Sequence, residues 1–166
     1  MKHVYAPGCA FMIYKPQLAK KVLKFLNEEL GNIPEHLICC KHEPNIERGT
    51  VVINTCPGCD RRYRELYDGI STVSLWEVLA ESKKFSFPDY KGMEMAIHDA
   101  CPTRTEARVH SAIRMLLDKM NIKVVEPKNT GTKSICCGDS FYGVLPVEQV
   151  KEQMKKRANE MPRENV

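Results

Sequence analysis

The chain has no long apolar run. Nowhere in its 166 residues is there a stretch near the about eighteen apolar positions that a transmembrane helix needs. Its start, MKHVYAPGCAF, has one lysine and no apolar core, so it does not read as a secretory signal. Aromatic residues are scarce, 7% with one tryptophan, which argues against an interleaved aromatic and basic surface for nucleic acid. Charge of one sign is not concentrated either. The formal +4 is spread over Lys20, Lys21 and Lys24, over Arg61, Arg62 and Arg64, and over Lys151, Lys155, Lys156 and Arg157, in separate helical stretches. These read as solvated helix faces, one of which suits an acidic electron-transfer partner. The expectation is a cytoplasmic chain with no transmembrane segment and no nucleic-acid partner.

Cysteine is abundant, with eight residues. In a compartment that keeps thiols reduced, that number points to metal or redox chemistry rather than a disulfide framework. Cys39 and Cys40 are neighbours, and so are Cys136 and Cys137. Adjacent Cα atoms lie about 3.8 Å apart, below the roughly 4.4–6.8 Å span of a disulfide, so vicinal cysteines are poor partners for one another. On an extended strand they point to opposite faces and cannot both reach one ion without a turn. Neighbouring thiolates can, however, address different irons of a cluster. Cys56 and Cys59 form a Cys-x-x-Cys whose Pro57 suits the first position of a helix running through Tyr63 to Tyr67. The unpaired amides at such a helix start favour thiolates. Five cysteines in the first half (Cys9, Cys39, Cys40, Cys56 and Cys59) exceed by one what a zinc tetrahedron needs. A second reading makes one of them a buried hydrophobe, as free cysteines often are.

Strand and helix signals alternate, and the first half's order recurs in the second. Val4 to Ala6 is β-prone and leads to Cys9. The apolar positions Leu18, Val22, Leu26 and Leu30 predict a helix from Pro16 to Leu30, closed by Gly31. His36 to Cys40 reads as a strand end, and Val51 to Ile53 as a buried strand entering Cys56. Thr72 to Ser82 reads as a helix with a Ser74–Glu77 capping box. The segment 83–92, with Pro88, reads as a linker between lobes at 1–82 and 93–166. Met95 to His98 then reads as a strand ending at Cys101, followed by a helix from Thr105 to Met120. Val124 and Val125 read as a strand, and Ser134–Ile135 as the lead into Cys136. A final helix begins at Pro146, with Val147, Val150, Met154 and Ala158 facing inward. Cys9 and Cys39 are separated by 29 residues, Cys101 and Cys136 by 34. This alternation predicts an α/β fold of two Rossmann-like, pseudo-repeated lobes, with mainly parallel sheets and cysteine loops beyond the strand carboxyl ends. His98, Asp99 and His42 read as strand-end, turn and loop residues rather than ligands, and Trp76 as packing.

The series APGC at Cys9, Cys39-Cys40, NTCPGC at Cys56 and Cys59, HDAC at Cys101 and CCG at Cys136 to Gly138 resembles the CCG cysteine-rich domain family, typified by the B subunit of heterodisulfide reductase. Relatives in that family serve as iron–sulfur subunits of lactate, glycolate, glycerol-3-phosphate and succinate oxidoreductases. The resemblance implies an iron–sulfur electron-transfer or disulfide-reducing subunit binding a noncubane [4Fe-4S] cluster. Cys9, Cys39, Cys40, Cys56 and Cys59 would hold one cluster, and Cys101, Cys136 and Cys137 part of a second. It implies a ferredoxin-like iron–sulfur subunit or a flavoprotein as partner, and a disulfide or quinone-like acceptor. Three departures stand out. Lys41 takes the place of the first motif's glycine, the interval from Cys40 to Cys56 is short at 15 residues, and no cysteine occurs among the 29 residues after Cys137. The closing MPRENV resembles the approach to a further strand, so the second motif is expected to be truncated or completed across an interface. Two other chemistries fit the cysteines: a non-catalytic zinc module, with zinc in one site, and a Cys56–Cys59 thiol–disulfide oxidoreductase.

Overall fold

A computed structural model describes residues 2–162 and divides the chain into two compact units, the first ending at Phe85 and the second starting at Ser86. Residues 163–166, the end of the stretch expected to approach a further strand, lie outside the described residues.

The first unit is an α/β layer structure. Its strands β1 (Lys2–Ala6), β2 (Thr50–Asn54) and β3 (Ser71–Ser74) form a parallel sheet in that order. Helices α1 (Cys9–Tyr14) and α2 (Pro16–Leu30) join β1 to β2, α3 (Pro57–Leu66) joins β2 to β3, and α4 (Leu75–Glu81) follows β3. The central strand β2 is buried throughout, as an interior parallel strand covered on both faces must be. Alternation along the strands divides the core. Val4, Ala6 and Val52 pack with Tyr63 of α3 on one face, while Tyr5 and Ile53 pack with Leu26 of α2 and Leu75 of α4 on the other.

The second unit pairs β4 (Met93–Ala96) in parallel with β5 (Ile122–Val125), joined by α5 (Ala107–Lys119), with α6 (Val147–Asn159) the last element among the described residues. Val109, Ala112 and Leu116 supply the buried stripe of α5. The whole is an α/β fold built on parallel sheets, and the division at 85/86 falls inside the stretch read as a linker.

Several boundaries differ from the sequence expectation. Thr72 to Ser74 is strand rather than helix, because its backbone pairs with β2 and helix begins only after the Ser74 cap. His36 to Cys40 forms no strand. Only Glu35 makes an isolated bridge to Tyr5, and the chain then turns, with the His42 amide donating to the Cys39 carbonyl at 2.8 Å. β4 ends at Ala96, so Ile97 and His98 belong to the loop before Cys101. Ser134–Ile135 is likewise not strand. On α6 only Val150 of the expected inward residues is buried. Val147 and Met154 are about half exposed, Ala158 is exposed, and the buried partner on that helix is Arg157. Arg157 is buried together with its guanidinium, whose Nη1 donates to Glu160 at 2.7 Å.

At the Ser74 cap the expected box is complete: Ser74 Oγ accepts from the Glu77 amide and Glu77 accepts from the Ser74 amide at 2.8 Å. Replacing Ser74 by alanine is expected to lower the unfolding free energy by about 1 kcal/mol in urea titrations, with unchanged slope.

Candidate functional site

The cysteines of the first unit meet because of the sheet register. Ala6 pairs with Asn54, so the chain leaving β1 and the chain leaving β2 emerge side by side. Thr55 Oγ1 donates to the Pro7 carbonyl at 2.5 Å and ties the two loops together. Gly8 follows with φ +81° and ψ 150°, a conformation open to glycine and strained for other residues. A Cβ built there would lie 3.4 Å from Cys56 Cβ and 3.7 Å from Cys59 Sγ. Gly8 therefore lets the backbone pass close against the Cys-x-x-Cys and sets Cys9 at the first position of α1.

Cys56 caps α3 with extended backbone, Pro57 holds the first helical position, and Cys59 sits one turn in, with the Asp60 amide donating to the Cys56 carbonyl at 2.9 Å. Asp60 is buried and accepts from Asn54 Nδ2 at 3.0 Å and from Arg64 Nε at 2.9 Å, which anchors this helix start on β2. The vicinal pair is brought in from the side: Arg62 Nε donates to the Cys40 carbonyl at 2.9 Å. Lys41, standing where the motif would carry glycine, does not need the left-handed region, because this loop turns through the Cys39–His42 hydrogen bond instead.

Cys9, Cys39, Cys40 and Cys59 line one cavity of about 290 Å³ together with Gly8, His36 and Tyr63. Cys56 lies outside that lining, but its sulfur interacts with that of Cys59, and Cys59 in turn with Cys40. Cys40 and Cys59 are buried, Cys39 and Cys56 half-buried, and Cys9 exposed. All eight cysteines are free thiols. The Cys59 hydrogen bond, aided by the amides of Cys59 and Gly58, pushes the Cys56 thiol down to about 6 against the opposing cost of burial. Cys59 moves the other way, raised first by its hydrogen bond to Cys56 and then by burial. Burial also raises Cys40, and burial with the nearby Cys59 and Cys40 raises Tyr63.

In the second unit Cys101, Cys136 and Cys137 are neighbours. The Cys101 and Cys136 sulfurs are hydrogen-bonded, and burial, then the Cys136 charge, raises the Cys101 thiol. Cys136 Sγ accepts from the Gly138 amide at 3.3 Å and faces Ser140 Oγ at 3.7 Å; these bonds outweigh burial and lower it. Gly138 is required here: its φ is +110°, and a Cβ would meet the Val150 carbonyl at 3.2 Å and Met154 Cγ at 3.1 Å. Arg104 Nε donates to the Ser134 carbonyl at 2.6 Å and Gln153 Nε2 to the Cys136 carbonyl at 2.8 Å, fixing both sides of the vicinal pair.

The loops of this second site hang on Asp99, a residue the sequence alone marks only as a turn aspartate. It is buried and accepts from Arg114 Nη2 (2.7 Å), Thr130 Oγ1 (2.7 Å), the Gly131 amide (2.6 Å) and His110 Nδ1 (3.1 Å). Burial alone would raise its carboxyl, but these donors prevail and hold it well below the usual carboxylate range. His98 and His42 are exposed. The sequence gives Gly8, Tyr63, His36 and Arg62 no role in the site. The one signal for Gly8 was its place between Pro7 and Cys9.

Among the described residues no group of three or more His, Cys, Asp or Glu side chains is arranged to hold a metal ion. The sulfurs of Cys40, Cys59 and Cys56 interact in series, and Cys9 and Cys39 line the same cavity as Cys40 and Cys59. Among the described residues no helix is long and apolar enough to cross a membrane. Compared with protein-family models, curated proteins and solved structures, the chain matches none.

Two outcomes follow from this geometry. Gly8→Ala is expected to cost about 2 kcal/mol in denaturant unfolding, because alanine resists the Gly8 backbone conformation. Asp99→Asn is expected to cost about 2 kcal/mol at neutral pH, because the buried carboxylate's donors from Thr130, Gly131 and Arg114 lose their charged acceptor while Arg114 keeps Glu126. A carboxyl held low in the fold contributes stability above its unfolded pKa of about 4, and that contribution is lost as pH falls further. The gap between wild type and Asp99→Asn should therefore be full at pH 7 and shrink below about pH 4 in unfolding titrations.

Proposed function

We propose that this chain is an iron–sulfur electron-transfer and disulfide-reducing subunit of a heterodisulfide-reductase-like oxidoreductase. The observation that carries the proposal is the cavity on which Cys9, Cys39, Cys40 and Cys59 open, with Cys56 bonded to Cys59 at its edge. The cavity holds the volume of roughly ten waters, room enough for a small cluster. The donor set is all thiol, the ligand type of iron–sulfur clusters. Gly8 leaves open the space that a side chain would fill.

On this proposal Cys9, Cys39, Cys40, Cys56 and Cys59 hold a noncubane [4Fe-4S] cluster, and Cys101, Cys136 and Cys137 hold part of a second. When bound, the cluster supplies one-electron storage and transfer. The protein's own part is positional. Cys40 and Cys59 sit in the apolar layer with Tyr63, away from water, while Cys9 and Cys39 lie on the open side where a partner or substrate reaches them. Electrons would come from a ferredoxin-like or flavoprotein subunit, and the acceptor would be a disulfide or a quinone-like molecule.

A second chemistry draws on a specific feature. Cys56, capping α3 and bonded to the buried Cys59, has the arrangement of a thiol–disulfide exchanger, an exposed-side sulfur backed by a resolving one. A zinc module would use the same sulfurs.

Anaerobically purified protein is expected to be brown, with about four irons and matching sulfide per complete site, and with a low-temperature paramagnetic signal after reduction. Cys39→Ser and Cys40→Ser should each change iron content or the spectra. Colourless protein with one zinc, or iron-free protein whose Cys56 and Cys59 cycle a disulfide with thioredoxin-type substrates, would overturn the cluster assignment.

A further inference from the structure

The site just described occupies the α3 side of the sheet. On the opposite side, between α2 and α4 at the same carboxyl ends of the strands, lies a second cavity of about 610 Å³. It is separate from the sulfur cavity but shares the walls Pro7 and Gly8, and Cys56 stands at its border. Pockets at strand carboxyl ends in open parallel sheets are where small ligands bind, and this volume lies within the range of small-molecule sites.

Its lining is unusual for this chain. Phenylalanine and tryptophan total six residues in the whole sequence, and four of them, Phe11, Phe25, Trp76 and Phe85, face this one cavity. They arrive from four different segments: α1, α2, α4 and the stretch after α4. Phe25 and Phe85 meet edge to face, with ring centres 5.6 Å apart, so two of the four rings already hold one another in place. Polar groups are nearly absent. Thr55 has committed its hydroxyl to the Pro7 carbonyl, and Lys21 is the one cationic residue in the lining and is exposed. Aromatic walls favour a planar ring by stacking, and a lone cation at an apolar mouth favours an anionic substituent.

We infer that this cavity is a binding site for a planar, apolar ring compound bearing one anionic group, with the ring among Phe11, Phe25, Trp76 and Phe85 and the anion towards Lys21. The inference does not depend on which metal, if any, the sulfurs carry. Cys56 lines this cavity while Cys59, on the same helix start, lines the sulfur cavity, so a ring compound held here lies beside the cysteine site without entering it.

Trp76 is the chain's only tryptophan, so its emission reports this cavity directly. The test titrates the full chain with anilinonaphthalene sulfonate and with phenylnaphthylamine, which has the same rings and no charge. Saturable quenching of Trp76 with energy transfer to bound sulfonate is expected, with a dissociation constant on the order of 10 µM. Val22→Phe, which fills the cavity from α2, should weaken both probes about tenfold or more. Ala10→Phe, at an exposed lining position, does the same should Val22→Phe lose its circular dichroism. Lys21→Met should weaken only the sulfonate, by about threefold, and high salt should mimic it. Absence of saturable quenching, or filling variants that fold and bind as wild type does, would overturn the site. Equal loss of both probes in Lys21→Met would overturn its preference for anions. Trp76 emission that shifts with protein concentration, without probe, would assign the cavity to a second copy of the chain and overturn the inference too.

Discussion

Everything proposed for the first unit depends on the parallel hydrogen bonding of β1 to β2. Parallel pairing makes both strands end at the same edge of the sheet, and the Ala6–Asn54 register delivers Pro7 and Thr55 side by side. Given that start, the Thr55 hydroxyl can reach the Pro7 carbonyl, and Gly8 can pass close to Cys56 and Cys59. An antiparallel pair would have sent the APGC and NTCPGC segments to opposite ends of the sheet. The apolar run Val51 to Ile53, wholly buried between α3 on one face and α2 and α4 on the other, holds that register against slippage.

The same sheet separates two environments. On the α3 face, buried thiols share the core with Tyr63, and their shifts follow from crowding: each sulfur either gains a hydrogen bond as a thiolate, like Cys56, or donates one and bears the cost of burial, like Cys59. On the α2–α4 face the walls are aromatic and aliphatic and carry no titratable group except Lys21 and the bordering Cys56. Cys56 stands at this edge because it follows the central strand by two residues and caps α3.

The second unit reaches a similar cysteine arrangement by other means. Its sheet has two strands, and it has no Cys-x-x-Cys on a helix start. Asp99 takes over as organiser, drawing donors from α5 and from the loop after β5 onto one buried carboxylate, while Arg104 and Gln153 secure the backbone around Cys136. Lobes alike in strand and cysteine order thus rest on different interactions: a hydroxyl-to-carbonyl tie with a close-packed glycine in one, a buried ion pair and its hydrogen bonds in the other.

Local signals were legible in the sequence. The spacing of Leu18, Val22 and Leu26, with Pro16 and Gly31 at the ends, sets the bounds of α2, and the Ser74–Glu77 box marks the start of α4, because both patterns act within a turn or two of backbone. Alternating β and α signals carried the α/β class for the same reason. Where a neighbour distant in sequence decided the outcome, those signals misled. Thr72 to Ser74 became strand through pairing with β2, and α6 buried Arg157 rather than Met154. The sequence by itself determined that the eight thiols follow short β-prone stretches, in the order of a twofold repeat. Only the tertiary structure decided which sulfurs touch, that Gly8 must be bare, and that the scarce aromatics share one cavity. Those facts depend on distances between segments some fifty residues apart, which pairing and packing set and local spacing does not encode.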